Sequence, residues 1–277
     1  MLSKAKIKEI RALEIKKFRD EKGLFIAEGD KIVSYMLPSF ECERLVVSAR
    51  WMSSKGMSTQ GDNVVKSRIP AQGDCFSKEL ILAEEDELRK VSFLKTPQDV
   101  LAVFRKPRYP IDIVNPVSQL ILALDGIQDP GNLGTIIRLA EWFGIEHIVC
   151  STDTADAFSP KTVQATMGAL AHVKIHYTNL EEFIRKNMTT PVYGTFLEGE
   201  NIYHSVLTQQ GIIVMGNEGA GIRPEIEALV NKRLYIPSYP PDCKTTGSLN
   251  VATATAIVCA EFRRNSVIAR NEAIRMS

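Results

Sequence analysis

The 277-residue sequence lacks long hydrophobic runs. None approaches the roughly 18 consecutive apolar residues that a membrane-spanning helix needs. The N-terminal stretch MLSKAKIKEIRALEIKKFRDEKG also has no apolar segment of the signal-peptide kind. With 44% hydrophobic and 24% charged residues, the composition is that of a globular protein. We therefore expect a cytoplasmic protein that is neither exported nor inserted into a membrane.

Cysteine is scarce and scattered. Its five positions show no C-x-x-C spacing, which indicates neither a disulfide framework nor a zinc site and favours a reducing compartment. His172 and His176 are four residues apart and would share a face if they lay on one helix. The sequence places no third ligand beside them, so no metal site is expected and a surface or strand role is favoured for both.

The near-neutral net charge of +1 hides an asymmetry. Residues 1–110 contain 21 Lys and Arg against 16 Asp and Glu, whereas residues 111–277 contain 13 against 17. A basic N-terminal part is compatible with nucleic acid binding, although a solvated helix has the same composition.

Residues 1–106 are predicted to form a small α/β domain. Helices are predicted over residues 3–20 and at DKIVSYML and FSKELILAEEDELRKVS, and strands at GLFIAEG, RLVVSARW and VLAVFRKP. The proline-rich stretch that follows predicts a linker over residues 107–117, because such segments stay extended. A second domain is expected over residues 118–277.

Strands and helices alternate through this second domain. QLILALDGI is a nearly continuous apolar run, which is typical of a strand buried on both faces of a parallel sheet. Further strands are predicted at HIVC, VKIHYT, PVYGTFL, GIIVMG and KRLYIPS, with helices between them and a last helix from Ser248. This alternation predicts an α/β fold with a parallel sheet covered by helices on both faces.

Three segments place polar residues where strands end. LDGIQDPGNLGTIIR carries Asn132 and Arg138, GNEGAGI carries Asn217 and Glu218, and GSLNVATA carries Ser248 and Asn250. Ligands of open α/β sheets bind beyond the carboxyl ends of the strands, so these side chains are expected to converge on a binding site. Each segment alone also permits a simpler interpretation as a helix cap or a solvated turn.

The second segment differs from the nucleotide-binding glycine motifs. GNEGAG lacks the Lys-Ser/Thr of a P-loop and the order G-x-G-x-x-G of a dinucleotide-binding loop. Glu218 among the glycines also disfavours phosphate, since like charges repel. A neutral or zwitterionic ligand is a better match, and a nucleotide-dependent dehydrogenase is disfavoured.

The order DPGNLGTIIR, GNEGAGI, IP…SLNVATA resembles the SpoU family of RNA ribose 2′-O-methyltransferases, within the SPOUT superfamily. The resemblance spans the whole second domain. The ends of the first domain, KFRDEKGLFIAEGDKIV and SFLKTPQDVLAVF, resemble the substrate-binding domain often fused to these enzymes, which is similar to an RNA-binding ribosomal protein.

This resemblance implies a C-terminal trefoil knot that holds S-adenosylmethionine, and a homodimer whose active sites take residues from both subunits. By position it implies that the catalytic and RNA-contacting residues are Asn132, Arg138, Glu218, Ser248 and Asn250. By position it also implies that the cofactor-binding residues are Thr195, Phe196, Leu197, Gly216, Asn217, Ile236 and Leu249. Asn250 would then have a task at the site beyond capping the last helix.

The implied reaction is methyl transfer to a ribose 2′-hydroxyl, which needs no metal. Family proposals make Arg138 the general base, yet an arginine side chain is effectively always protonated. We interpret Arg138 as a charge that stabilises the developing alkoxide and an RNA phosphate. Glu218, Ser248 and Asn250 would orient the ribose and hold Arg138.

Two departures from the family pattern stand out. PSYPPDCKTTG, between Ile236 and Ser248, is longer than the equivalent loop of compact members and could alter cofactor binding or substrate access. Asp99 stands in TPQDV where glycine is common. Ribosomal RNA is the favoured substrate, with transfer RNA or a non-catalytic RNA-binding role as alternatives.

Overall fold

The computed structural model describes residues 2–56, 77–240 and 247–276, with side chains described as far as residue 264. The chain divides into two compact units. Met1–Arg108 and Asp156–His172 form the first unit, and Tyr109–Ala155 and Val173–Ser277 form the second.

The first unit is built on a mixed four-stranded sheet in the order β1-β4-β2-β3. β4 pairs antiparallel with β1 and β2, whereas β2 and β3 are parallel. Buried apolar side chains of these strands and of the helices beside them form its core. The strands are β1 (Leu24–Glu28), β2 (Cys42–Val47), β3 (Ser77–Leu82) and β4 (Val100–Arg105). The helices are α1 (Lys4–Ala12), α2 (Lys16–Lys22), α3 (Asp30–Met36), α4 (Ala49–Ser54), α5 (Glu85–Val91) and α7 (Pro160–Thr166).

The single helix predicted over residues 3–20 is two helices, α1 and α2. The break follows from Arg19, whose buried guanidinium donates to the backbone carbonyls of Leu13 and Glu14, at 2.7 Å each. Those carbonyls are thereby satisfied outside a helical ladder, and the chain turns between them and α2.

The helix predicted at FSKELILAEEDELRKVS begins instead as strand β3. Pairing with β2 overrides the helix propensity of this stretch, and Leu80 and Ile81 lie opposite Leu45 and Val46. The helix α5 starts only at Glu85, where the backbone N–H of the preceding Glu84 donates to the side chain of Glu87 at 3.1 Å.

Asp99 has a defined partner set in this unit. Its carboxylate accepts hydrogen bonds from the hydroxyl of Ser48, at 2.9 Å, and from the guanidinium of Arg50. Ser48 also caps α4 by accepting from the N–H of Trp51, which ends the predicted strand RLVVSARW at Val47. The residue that departs from the family pattern therefore ties the start of β4 to the start of α4.

The segment Asp156–His172 completes the first unit from a distant part of the sequence. Its Asp156 forms an ion pair with Arg19 at 2.6 Å, and the two side chains are only 9% and 3% exposed. Phe158 packs against Phe25 of β1, with ring centroids 5.0 Å apart. Because the ion pair is buried and the two rings pack together, we consider this segment part of the core of the first unit.

The second unit contains a six-stranded sheet in the order β10-β8-β9-β5-β6-β7, and every neighbouring pair is parallel. The predicted α/β fold with a parallel sheet is thus confirmed, while the knot stays a prediction. The strands are β5 (Leu120–Leu124), β6 (His147–Ser151), β7 (Lys174–Thr178), β8 (Val192–Asn201), β9 (Gly211–Met215) and β10 (Lys232–Tyr235). The helices are α6 (Pro130–Trp142), α8 (Leu180–Lys186), α9 (Pro224–Glu227) and α10 (Val251–Met276).

Helices α6 and α10 lie side by side in the same direction. Asn250, just before α10, donates to Asn132 at the start of α6, at 3.0 Å. Near the other end, Arg263 donates to the backbone carbonyls of Phe143 and Gly144, at 2.9 and 3.2 Å. Carbonyls at a helix C-terminus lack intrahelical donors, so Arg263 satisfies groups that would otherwise face only water. Both ends of the contact are fixed by side chains.

Cys42, Cys150 and Cys259 are buried cysteines that are not joined in disulfides. Burial raises the pKa of Cys259 to about 12, which keeps it protonated. Cys75 and Cys243 lie outside the described residues. Among the helices that the structure describes, none has the length and apolar character needed to cross a membrane.

Candidate functional site

The three motif segments meet at one edge of the six-stranded sheet. β8, β9 and β5 are consecutive parallel neighbours, with β10 beside β8. Their carboxyl ends therefore lie at the same edge, which carries the loops after β5, β9 and β10 and the outer part of β8.

The first motif forms the N-terminus of α6. Asp129 is the N-cap residue, and its carboxylate accepts from the N–H of Asn132 at 2.8 Å. Pro130 follows at the first helical position, where its missing N–H costs nothing. This cap frees the amide side chain of Asn132 for other contacts.

The second motif is a tight turn that Asn217 organises. Its backbone pairs with Gly221, and its side-chain oxygen accepts from the N–H groups of Gly219 and Ala220, at 2.9 and 3.0 Å. Gly216 is required by a close approach, because a Cβ there would lie 2.3 Å from the carbonyl carbon of Gly221. The turn projects Glu218 towards the start of α6.

Asn132, Glu218 and Asn250, one from each motif, form a connected hydrogen-bond chain. The amide nitrogen of Asn132 donates to Oε1 of Glu218 at 2.9 Å, and its amide oxygen accepts from Nδ2 of Asn250 at 3.0 Å. The three residues that the motif pattern predicted to converge are therefore in contact. We call this set the amide–carboxylate cluster.

Asn250 is both a helix cap and a member of the cluster. Its side-chain oxygen accepts from the N–H groups of Ala252 and Thr253, at 3.0 and 3.2 Å, which leaves only its amide nitrogen to face Asn132. The cap thus fixes the orientation of the Asn250 amide, which in turn fixes that of Asn132. The hydrogen bonds all run in one direction: N–H groups of α10 donate to Asn250, Asn250 donates to Asn132, and Asn132 donates to the carboxylate of Glu218.

The carboxylate of Glu218 is ionised. Partial burial alone would raise its pKa, but hydrogen bonds from Asn132 and from backbone N–H groups at the start of α6 hold that pKa below its ordinary value. The nearby helix N-terminus favours the same negative charge. Its second oxygen, Oε2, accepts longer hydrogen bonds from the N–H of Gln128 at 3.4 Å and from the amide of Asn217 at 3.5 Å.

Arg138 and Ser248, also predicted as site residues, lie outside these hydrogen bonds. Arg138 is exposed on α6, six residues after Asn132. Ser248 is exposed two residues before Asn250 and is not the cap of α10. In the described part of the chain, neither side chain forms a hydrogen bond with the cluster.

The predicted cofactor segment of β8 leaves the sheet ladder. The register with β10 jumps from Gly194 to Glu200, so residues 195–199 bulge at the carboxyl edge. Phe196 is covered by the guanidinium of Arg233, whose carbon lies 3.7 Å from the ring centroid.

The neighbours of Phe196 have different surroundings. Thr195 donates to the sulfur of Met215 at 3.7 Å, whereas Leu197 is 77% exposed. Ile236 is half-buried after β10, and Leu249 is 50% exposed. Leu197 and Leu249 therefore present exposed apolar side chains.

Sequence models of two families match the chain. Residues 119–260 match the SpoU rRNA methylase family, and residues 4–102 match the MRM3-like substrate binding domain. The chain belongs to the SpoU rRNA methylase family. The resemblance inferred from the three motifs and from the ends of the first domain is confirmed.

Relatives of this SpoU protein match it over nearly its whole length. The chain is 30% identical over 263 residues to the 23S rRNA (guanosine(2553)-2′-O)-methyltransferase RlmP of Bacillus subtilis, covering 93% of this chain and 96% of that protein. A solved TrmH-family structure from Porphyromonas gingivalis shares 40% identity and a TM-score of 0.80, covering 96% and 99%. An AdoMet-bound rRNA methyltransferase structure from Sinorhizobium meliloti shares 31% identity and a TM-score of 0.80, covering 96% of both chains.

The histidines of this SpoU protein have the surface and strand roles that the sequence favoured, with His172 exposed and His176 in a strand. His176 lies in strand β7, where its Nε2 is 3.0 Å from Nδ1 of His147 in the buried interior. Within the described residues, no group of three or more His, Cys, Asp or Glu side chains is arranged to hold a metal ion.

One ion pair of the SpoU domain was not predicted from sequence. Asp125, fully buried after β5, accepts from Arg223 at the start of α9. A carboxylate directly after a buried strand is a signal that it needs a partner, but the sequence does not say which cation supplies it.

Proposed function

We propose that this SpoU protein transfers a methyl group from S-adenosylmethionine to a ribose 2′-hydroxyl of ribosomal RNA. The observation that carries the proposal is the amide–carboxylate cluster, in which the three family motifs meet through Asn132, Glu218 and Asn250. The relatives of similar length named for 23S rRNA and AdoMet support the substrate and the cofactor.

The residues at the carboxyl edge fit the proposed cofactor. Gly216 keeps the turn after β9 free of a side chain, and Leu197, Ile236 and Leu249 offer apolar surface that an adenosine can cover. When bound, S-adenosylmethionine supplies an electrophilic methyl group and a positive sulfonium. The ionised Glu218 nearby suits a cationic ligand better than a phosphate.

Within this site Glu218 is proposed to orient the ribose. The hydrogen bonds to its oxygen Oε2 from Gln128 and Asn217 are long, and a carboxylate oxygen can accept a further hydrogen bond from a hydroxyl. Ser248, which is exposed and lies two residues before Asn250, is proposed as a second ribose contact. Arg138 is proposed to stabilise the developing alkoxide by its charge, because its guanidinium does not lose a proton near neutral pH.

We propose a homodimer in which Arg138 acts at the site of the other subunit. Arg138 lies on an exposed face of α6, and Trp142, one turn further along that helix, is 84% exposed. An indole so exposed beside an arginine is typical of a contact surface. A second copy covering this face would bring Arg138 to an amide–carboxylate cluster.

Subunit mixing tests this arrangement. Co-expressed Arg138→Ala and Asn132→Ala chains, each inactive alone, are expected to regain about a quarter of wild-type activity, because half the dimers then contain one intact shared site. Recovery that stays at the level of the single variants would contradict a shared site. The variant Trp142→Glu is expected to dissociate the dimer in sedimentation velocity.

The domain assignment is also a proposal. Residues 1–106 are proposed to bind the RNA, residues 107–117 to link, and residues 118–277 to carry catalysis within a trefoil knot. The match of residues 4–102 to a substrate binding domain and of 119–260 to the methylase family supports this division. An enzyme of ribosomal RNA is proposed to work in the cytoplasm.

Calorimetric titration with S-adenosylmethionine, followed by a methyl-transfer assay, tests the function. We expect one site per chain and transfer to ribosomal RNA from a strain that lacks the gene, with no transfer to the 2′-deoxy analogue of the target. Methyl transfer to transfer RNA alone would mean that transfer RNA, and not ribosomal RNA, is the substrate. Cofactor binding without transfer to either RNA would favour a non-catalytic role.

A further inference from the structure

Asp125 and Arg223 form an ionic fork between the loop after β5 and the start of α9. Oδ2 of Asp125 accepts from the backbone N–H of Arg223 at 2.8 Å, and Oδ1 accepts from Nε at 2.7 Å and Nη2 at 2.5 Å. The carboxylate is fully buried, whereas the arginine side chain is 41% exposed. Arg223 thus supplies three donors to one carboxylate. These bonds fix the distance and the angle between the loop that carries Asp125 and the turn that ends at Arg223.

The fork joins the bases of the two loops that form the amide–carboxylate cluster. Asp125 opens the loop that leads into α6 and to Asn132, and Arg223 closes the turn that carries Glu218. A second bond runs in parallel, because Nδ2 of Asn217 donates to the carbonyl of Gly126 at 2.6 Å. Glu218 therefore lies between two anchors that both hold it to residues 125 and 126.

Neither Asp125 nor Arg223 contacts Asn132 or Asn250 in the hydrogen bonds of the described residues. Their effect on the site therefore passes through the two loops that the fork joins, and so through the position of Glu218 relative to Asn132. The side chain of Arg223 is 41% exposed, so the fork reaches from the buried carboxylate to the surface of the unit.

We propose that Arg223 and Asp125 are positioning residues that hold the carboxylate of Glu218 against Asn132 for methyl transfer. The inference rests on the proposed function, because it assigns the fork a task in that reaction. A displacement of Glu218 by about 1 Å would be enough to lower the rate by a large factor.

The test compares Arg223→Gln and Arg223→Lys in the full-length protein, assayed by methyl transfer to ribosomal RNA. Arg223→Gln is expected to lower kcat about 10- to 100-fold, with KM for S-adenosylmethionine nearly unchanged. Arg223→Lys should recover part of kcat, because lysine keeps the charge but not the fork. Arg185→Gln, which removes an exposed arginine paired with Glu181, is the matched control and should leave kcat unchanged.

A double-mutant cycle with Glu218→Gln separates positioning from general destabilisation. If the fork acts through Glu218, Arg223→Gln should have little further effect in that background. Equal losses in both backgrounds, or wild-type kcat in folded Arg223→Gln, would overturn the proposal. If Arg223→Gln fails to fold, Asp125→Asn, which keeps the shape and an acceptor, takes its place in the cycle.

A carbon-13 NMR titration of Glu218 gives a readout that does not depend on turnover. Release of Glu218 from Asn132 in Arg223→Gln is expected to shift the pKa of Glu218 upward towards its ordinary value, and an unchanged titration would contradict positioning. A wild-type protein that methylates no RNA would overturn the proposed function, while this titration would still decide whether the fork positions Glu218.

Discussion

The second unit contains two clusters of hydrogen-bonded polar side chains with opposite character. The amide–carboxylate cluster lies at the carboxyl edge of the sheet, is partly exposed and carries the ionised Glu218. The histidine pair is formed by His147 of β6 and His176 of β7, which are buried, with exposed fractions of 2% and 4%. Burial and the neighbouring imidazole lower the pKa of His176 to about 4, so the pair is uncharged at neutral pH.

The difference separates a site from a structural contact. In the cluster, the amide groups of Asn132 and Asn250 are used within the chain, yet Oε2 of Glu218 keeps capacity for a ligand. In the histidine pair a hydrogen bond joins Nδ1 of His147 and Nε2 of His176 away from solvent. Buried polar groups that bond one another can stabilise a fold, but a binding site also needs unused donors or acceptors within reach of a ligand.

Loss of Arg138 should give the largest effect and tests whether the cluster is a catalytic site. Arg138→Ala is expected to lower kcat about 10³-fold, because the developing negative charge loses its stabilising cation. The midpoint of thermal unfolding should stay at the wild-type value, since Arg138 is exposed and outside the cluster. Full activity of this variant would remove the distinction between the two clusters.

Asn250 can be changed so that its two tasks are measured apart. Asn250→Ser keeps an N-cap of equal quality but is too short to reach Asn132, so kcat should fall while stability is kept. Asn250→Ala should lose about 1 kcal/mol of stability as well. Methyl-transfer assays and urea unfolding of both variants make the comparison. Unchanged kcat in Asn250→Ser would reduce Asn250 to a helix cap.

The histidine pair should affect how the free energy of unfolding depends on pH, and it should not affect activity. Because the pKa of His176 is about 4 when folded and near 6.5 when unfolded, the unfolded chain binds more protons between these values. The stability that depends on uncharged His176 is fully present above pH 6.5 and is lost as the pH falls towards 4. The loss in the free energy of unfolding is on the order of 2 kcal/mol. Glu218 acts in a different window, below its ordinary value of 4.5, because its folded pKa is lowered.

Urea unfolding between pH 7 and 4.5 measures this loss. His176→Gln, whose amide does not titrate, should flatten the dependence, although His147, with its own lowered pKa, will keep part of it. His204→Gln is the matched control, because His204 is exposed. An unchanged slope in His176→Gln would mean that the acid sensitivity arises elsewhere.

Much of the site could be predicted because it rests on the order of strands and loops. Parallel strands end at one edge, so Asn132, Glu218 and Asn250 had to meet once their loops were recognised. The sequence could not predict that Arg138 is exposed and forms no hydrogen bond with this cluster among the described residues, because exposure of one helix face depends on what packs beside it. The partner of Asp125 was hidden for a similar reason: Arg223 is almost a hundred residues away.

The errors in the fold fall where distant contacts compete with local preference. β3 was predicted as helix because Glu and Leu favour helices, yet pairing with β2 decides its state. The helix over residues 3–20 breaks because Arg19 binds two carbonyls within it. The apolar strands of the parallel sheet needed no such information, since their composition alone forbids exposure.

The position of Asp156–His172 limits how this protein can be divided. A gene segment encoding residues 1–108 would produce a unit in which Arg19 has lost Asp156 and Phe25 has lost Phe158. Removal of residues 156–172 would take the ionic partner from Arg19 and uncover apolar surface at Phe25, and both changes would lower the stability of the unit. Exchange of the first unit between relatives is therefore expected to keep its stability only when two separated stretches, residues 1–108 and 156–172, are transferred together.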